Sequence, residues 1–151
     1  MLKKNHGYSC PVCGYDQLSR PAYNEGGSPS FGICPCCGVQ FGYQDCGFPH
    51  AALRRIWLAA GGAWYSDATH PPDNWTALEQ LRLAGLASDP VDECPYCRTP
   101  VAAGEPVRHW ERYETAGFLY AATCEGCGAD LVGAGRAGGE ATEGIVWGSA
   151  D

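Results

Sequence analysis

No apolar run in this chain approaches the roughly 20 residues that a membrane-spanning helix needs. The opening residues, Met1 to Tyr8, contain Lys3, Lys4 and Asn5 but no apolar stretch of the kind a secretory signal carries, so none is expected. Basic charge is scarce as well. Lys3 and Lys4 are the only lysines, and the formal net charge is −7. The deficit is uneven: residues 1–48 balance, residues 49–90 carry −1, and residues 91–151 carry −6, with four Arg against ten acids. Nonspecific nucleic-acid binding relies on cations that neutralise phosphates, and no basic patch supplies them. Four histidines, His6, His50, His70 and His109, stand in no Ser–His–Asp or Cys–His pattern that spacing can identify. A hydrolase is therefore not expected.

Cysteine and glycine are abundant instead, with 10 Cys and 21 Gly. Eight of the Cys form four C-x₂-C pairs. Cys10-Pro-Val-Cys13-Gly14 and Cys34-Pro-Cys-Cys37-Gly38 share the form C-P-x-C-G, the shape of a zinc knuckle. Two knuckles aim four thiolates at one ion, a closed tetrahedral site. Cys94, Cys97, Cys124 and Cys127 repeat the arrangement near the C-terminus. The spacing predicts two structural zinc ions per chain. Pairing of this kind favours metal in a reducing cytosol over disulfides. Cys36 competes with its neighbours for a ligand role, but only Cys34 and Cys37 have the x₂ spacing; Cys36 and Cys46 are expected as free thiols. Small subdomains cannot bury enough apolar surface alone. Structural zinc is worth roughly 10–16 kcal/mol near neutral pH, enough to match a small domain's whole stability.

The expected fold class is a small metal-stabilised α+β protein, with two Cys₄ zinc ribbons flanking a two-helix segment. An N-terminal part, 1–88, would hold the first ribbon (7–46) and two packed helices (48–61 and 73–85). A C-terminal part, 89–151, would hold the second ribbon and a Gly-rich tail. Phe31 and Ile33, then Val39, Phe41 and Tyr43, alternate as strands do. Leu53, Ile56, Trp57 and Ala60 form one apolar stripe. Pro49 suits the first helical position, and Gly61 and Gly62 suit the stop. Thr76 and Glu79 have capping-box spacing, Leu78 and Leu81 give the buried side, and Gly85 ends the second helix. Trp57, Trp64 and Trp75 are expected to pack the helices on the first ribbon. Residues 87–90 read as a linker. Strands are expected over 107–113 and 118–123, joined near Gly117. The tail beyond Val132 is expected to be irregular, with a last strand at 145–147.

The stretches 8–15, 33–38 and 41–43, with the pattern Leu53-Arg54…Trp57…Gly62…Trp64…Pro71-Pro72…Trp75…Leu78-Glu-Gln-Leu81, resemble the bacterial cysteine-rich CPCC proteins. The resemblance covers residues 7–85. It implies a small cytoplasmic zinc-binding protein with a protein-binding, toxin–immunity type of role. The chain departs from that pattern at Gln44-Asp45-Cys46, where the family often has two acids.

The functional expectation is a non-enzymatic, cytoplasmic interaction module. Its acidic surface, with Asp92, Glu93, Glu105, Glu111, Glu114, Glu125, Asp130, Glu140 and Glu143, would bind a basic partner protein such as a toxin. Neither nucleic acid nor membrane is an expected partner. The alternative is a nucleic-acid-binding zinc ribbon, in which Trp and Tyr would stack bases rather than fill a core. A third reading rests on Cys94-Pro-Tyr-Cys97, identical to the glutaredoxin redox motif. It needs a helix after the motif to lower the thiol pKa, and Arg98 to Pro106 holds two further prolines instead. Arg54, Arg55 and Arg82 are read as solvated helix faces.

Overall fold

The computed structural model of the chain describes residues 7–86, 90–113, 115–136 and 144–150. The contacts divide the chain into two compact units. One is Met1–Leu53 with Gly62–Ser88; the other is Arg54–Gly61 with Asp89–Asp151.

The first unit holds no regular strand among its described residues. Backbone pairing is limited to isolated bridges, Tyr8 with Leu18, Tyr23 with Pro29 and Ile33 with Gln40. The expected strand alternation is thus corrected. Val39 and Phe41 are buried, but Phe31, Ile33 and Tyr43 are exposed. Phe31 has a φ of 59°, a left-handed conformation that breaks an extended run.

Both helices are shorter than the sequence predicts. The first, α1, runs over His50–Ala59 rather than 48–61. Pro49 lies just outside it and accepts the first bond, from Leu53 N at 3.0 Å. The second, α2, runs over Ala77–Leu83 rather than 73–85. Trp75 N donates to Pro72 O at 3.1 Å and Asn74 has a φ of 62°, so residues 72–75 form a turn. The predicted cap is present: Thr76 Oγ1 accepts from Glu79 N at 3.1 Å. Gly85, with a φ of 75°, closes the C-terminal end. Leu81 is buried as expected, but its partner on the buried side is Ala77, at i−4, whereas Leu78 is 56% exposed. Trp64 packs edge-on against Tyr15 and Trp75, with centroids 5.6 and 5.5 Å apart. Trp57 is buried, but its segment, Arg54–Gly61, belongs to the second unit.

The second unit is built on one antiparallel sheet in the order β1-β2-β3-β4. The strands are β1 (Pro106–Arg112), β2 (Thr115–Thr123), β3 (Asp130–Arg136) and β4 (Val146–Ser149). Directly opposed residues share a face. Tyr120, Gly133 and Trp147 therefore line one face, and Leu119, Ala134 and Val146 the other. On the first face a core forms from Cys94, Val101, Tyr120, Cys124, Leu131, Ile145 and Trp147.

Two expectations are corrected here. The β1–β2 connection follows Arg112, which pairs with Thr115; Gly117 lies inside β2. The tail is strand as far as Arg136, not irregular, and β4 supplies the expected last strand. A Cβ on Gly133 would come within 2.5 Å of Ile145 and 2.7 Å of Trp147. Glycine here makes room for a large side chain inside a strand. Residues 87–89 of the expected linker lie outside the described residues, as do Gly138 and Gly139, together with His6, Glu114, Glu140 and Glu143. No described helix is long and apolar enough to cross a membrane.

Candidate metal centres

All four C-x₂-C pairs fold into the same turn. The N–H of the first cysteine donates to the carbonyl five residues on: Cys10 to Tyr15, Cys34 to Val39, Cys94 to Thr99 and Cys124 to Ala129, at 2.7–3.0 Å. The N–H four residues on returns to the first cysteine's carbonyl, from Gly14, Gly38, Arg98 and Gly128, at 2.8–3.0 Å. That fifth residue needs a positive φ, with values of 83°, 77°, 65° and 80° respectively. Glycine adopts it without strain, so C-x₂-C-G is the local signal. Arg98 occupies the same position with a Cβ. In all four turns a backbone N–H also points at the first sulfur: Val12 to Cys10, Tyr96 to Cys94 and Gly126 to Cys124, at 3.3–3.4 Å, and Cys37 to Cys34. Such donors favour the thiolate.

The turns meet in pairs. The sulfurs of Cys10, Cys13, Cys34 and Cys37 lie within 4.8 Å of one another, and so do those of Cys94, Cys97, Cys124 and Cys127. Every sulfur is a free thiol. The shortest cross-turn distances are 3.8 Å (Cys10–Cys37) and 3.7 Å (Cys13–Cys34) in one cluster, and 3.7 Å (Cys94–Cys127) and 3.5 Å (Cys97–Cys124) in the other. An ion about 2.3 Å from four tetrahedral sulfurs sets those sulfurs about 3.8 Å apart. Both clusters have the size of a four-sulfur coordination shell and could hold one metal ion each.

The electrostatics of the first cluster point the same way. Hydrogen bonding with Cys10, and then with the other thiols, pushes the Cys13 thiol up and pulls Cys34 down. Sulfurs this close share protons and cannot all be anionic unless a cation lies among them. In the second cluster Cys97 is exposed. The Thr99 hydroxyl, 3.2 Å away, and its backbone bring the Cys97 thiol to about 6.

Cys36 is not one of the four grouped sulfurs, although its thiol hydrogen-bonds Cys13. Gln80 Nε2 reaches its sulfur at 3.3 Å and Cys13 O at 2.9 Å, which ties α2 to both knuckles of the first unit. Cys46 is exposed, with its S–H directed at Gly42 O, 3.2 Å away. No helix follows Cys97: the chain is irregular up to β1. His109 stacks edge-on against Phe118, and His70 is exposed.

Two features carry no signal in simple patterning. Asp45, 1% exposed at its side chain, accepts hydrogen bonds from Tyr23 Oη, from His50 Nε2 at 2.8 Å and from Gly42 N at 2.7 Å. Arg55 is not a solvated residue. It is 4% exposed, and its guanidinium donates to Val132 O on β3 and Ser149 O on β4, at 3.2 and 2.8 Å. A Cβ on Gly148 would come within 2.3 Å of Arg55 Nη2. The helical spacing does hold a trace: Ala52 and Ala59, at i−3 and i+4, are both buried, so small residues flank Arg55 on its own helix face. Arg82, by contrast, is exposed and pairs with Glu79 at 2.6 Å.

No family model and no solved structure matches the chain. Two relatives with partial similarity, both from Bacillus subtilis strain 168, are the uncharacterized proteins YoaQ and YozI. The chain is 49% identical to YoaQ over 39 residues, 25% of this chain and 33% of that protein. It is 40% identical to YozI over 40 residues, again 25% of this chain and 33% of that protein. The chain thus spans about a third of the length of the curated relatives it matches.

Proposed function

We propose that the chain is a zinc-stabilised, non-enzymatic interaction module that binds a basic protein in a reducing cytoplasm. The observation that carries this reading is the closure of both clusters by sulfur alone. Catalytic zinc keeps an open position and is bound mainly through His or carboxylate ligands; neither cluster includes one. All-thiolate tetrahedral sites of this size suit zinc, whose filled d shell imposes no competing geometry. Each loaded site adds a formal −2, so the metallated chain is more acidic than its −7. Electrostatic complementarity of that sign speeds association with a basic partner and disfavours nucleic acid. The resemblance to the CPCC proteins supplies the specific form: immunity against a basic toxin.

Some of the expected acids of the second unit have partners inside it. Asp92 accepts from Gly144 N and Ile145 N, both at 3.0 Å, and Glu93 pairs with Arg98 at 3.4 Å. Glu105, Glu111 and Glu125 are exposed and are the better candidates for a docking charge. The test is elemental analysis, followed by affinity capture and association kinetics. Two zinc ions per chain are expected, with a captured protein of high pI whose on-rate falls as salt rises. A neutral or acidic partner, or tight DNA binding with a steep salt slope, overturns the reading.

A further inference from the structure

The first unit contains a groove of about 590 Å³ lined by Asp16, Pro72, Asp73, Trp75, Glu79 and Leu83, together with small and neutral polar residues. Its volume falls in the roughly 300–1,000 Å³ range of pockets that enclose whole ligands, so it accepts more than one side chain. Among the described residues, three carboxylates line it and no Lys or Arg does. Arg82 answers Glu79 with an ion pair at 2.6 Å; among the described lining residues, Asp16 and Asp73 are the other two acids. The apolar part is equally defined. Trp75 is held by its indole N–H, which donates to Gln80 Oε1 at 2.9 Å, and by the edge contact with Trp64. Leu83 is 72% exposed. Asp73 lies within the turn closed by Trp75 N and Pro72 O, and both Asp73 and Trp75 line the groove.

We propose that this groove is the docking site for an arginine-bearing segment of a basic partner protein. The inference rests on the reading that the partner is a basic protein and gives it a location. An indole attracts a planar guanidinium, carboxylates accept its two-pronged donors, and apolar surface receives the arginine stem. Trp75, Asp16 with Asp73, and Leu83 with Pro72 supply these three chemistries in one concavity. A lysine segment would satisfy the charge and the stem contact but lacks the planar, two-pronged donor.

The experiment uses the full, zinc-loaded chain and a capped pentapeptide, Gly-Arg-Leu-Arg-Gly, with citrulline and lysine analogues, followed by calorimetry. The arginine peptide binds, the lysine analogue binds more weakly, and the uncharged citrulline analogue loses binding. Asp16→Asn with Asp73→Asn weakens the arginine peptide about tenfold or more without changing zinc content. Leu83→Lys, at a highly exposed position, weakens it independently. Glu111→Lys with Glu125→Lys, in the other unit, leaves the peptide affinity within about twofold. Equal binding of the citrulline analogue, or unchanged binding by Asp16→Asn with Asp73→Asn, overturns the groove. A captured basic partner that responds to Glu111→Lys with Glu125→Lys but not to the groove variants also overturns it, while the basic-partner reading stands. A captured acidic partner removes that reading whatever the peptide does.

Discussion

The two cysteine clusters have the same ligands, the same turns and nearly the same sulfur spacing, yet they sit in different surroundings. In the first, Cys10, Cys13, Cys34 and Cys37 are all buried, at 1% exposure or less. In the second, Cys94 and Cys124 are buried but Cys97 and Cys127 are exposed. The first unit has isolated bridges, two short helix segments and no regular strand among its described residues. The second has a four-stranded sheet whose core includes two of the ligands themselves. The difference teaches what a metal would do in each case. In the first unit a bound ion would lie among four fully buried sulfurs. In the second it would fasten two turns to a sheet that has an apolar core beside them.

The strongest way to break this comparison is to remove one ligand from each cluster. Cys13→Ser is expected to unfold the first unit, because the ion's roughly 10–16 kcal/mol exceeds what the remaining contacts supply. Cys97→Ser is expected to lower zinc content by one ion while the sheet persists by far-UV circular dichroism. If both variants lose the sheet signal, the units are not as different as their surroundings imply. A chelator should likewise strip the exposed cluster before the buried one.

The next effect belongs to Arg55. Arg55→Met deletes the hydrogen bonds to Val132 O and Ser149 O and leaves those two strand carbonyls without them, a loss of about 2–4 kcal/mol. Urea denaturation monitored on the sheet should show the drop. A change below about 0.5 kcal/mol would mean that water takes over both carbonyls.

A smaller effect sharpens the contrast among the four turns. Arg98→Gly relieves the left-handed strain that glycine avoids in the other three, a gain of about 1 kcal/mol. The gain should appear in the thermal midpoint of the second unit and be absent for substitutions of exposed Arg20.

The smallest concerns Tyr23. Burial and the hydrogen bond to Asp45 push its hydroxyl from 10.0 up to about 12. Because the folded value is raised, the contribution is fully present below pH 10 and is lost as the pH climbs to about 12. Metal-bound thiolates carry no proton to lose in that window, so they leave it clear. Tyr23→Phe should be less stable at neutral pH, yet should flatten the decline between pH 10 and 12. An unchanged decline would assign it to other groups.

The turns were legible in the sequence because each is a short unit whose hydrogen bonds are local and, in three of the four, whose positive-φ residue is glycine. The cap at Thr76 was legible for the same reason. Features that depend on distant partners were not. The β1–β2 connection places Tyr113 at a φ of 55°, where a glycine or asparagine would have signalled the turn; Gly117 was the misleading substitute. Gly133 reads as a breaker until Trp147 is seen against it. Arg55 is charged beside another arginine, which reads as a solvent face unless the carbonyls of two strands are known to be waiting. The groove residues Asp16 and Asp73 lie far apart in sequence, and no periodicity joins them.

One consequence of the turn geometry concerns tolerance to changes in length. An ion bound in either cluster would close a loop between its turns: Cys13 and Cys34 are 21 positions apart, Cys97 and Cys124 are 27 apart. Closure entropy grows only with the logarithm of length, so these two loops differ by about 0.2 kcal/mol. Residues inserted at the exposed Asn24–Ser28 bend should therefore be accepted at little expense. One residue inserted between Cys10 and Cys13 would displace both hydrogen bonds and turn a sulfur away from its cluster. The chain is elastic where it is long and rigid over four residues at a time. A natural or designed variant can thus lengthen its loops freely while its paired cysteines keep their spacing to the residue.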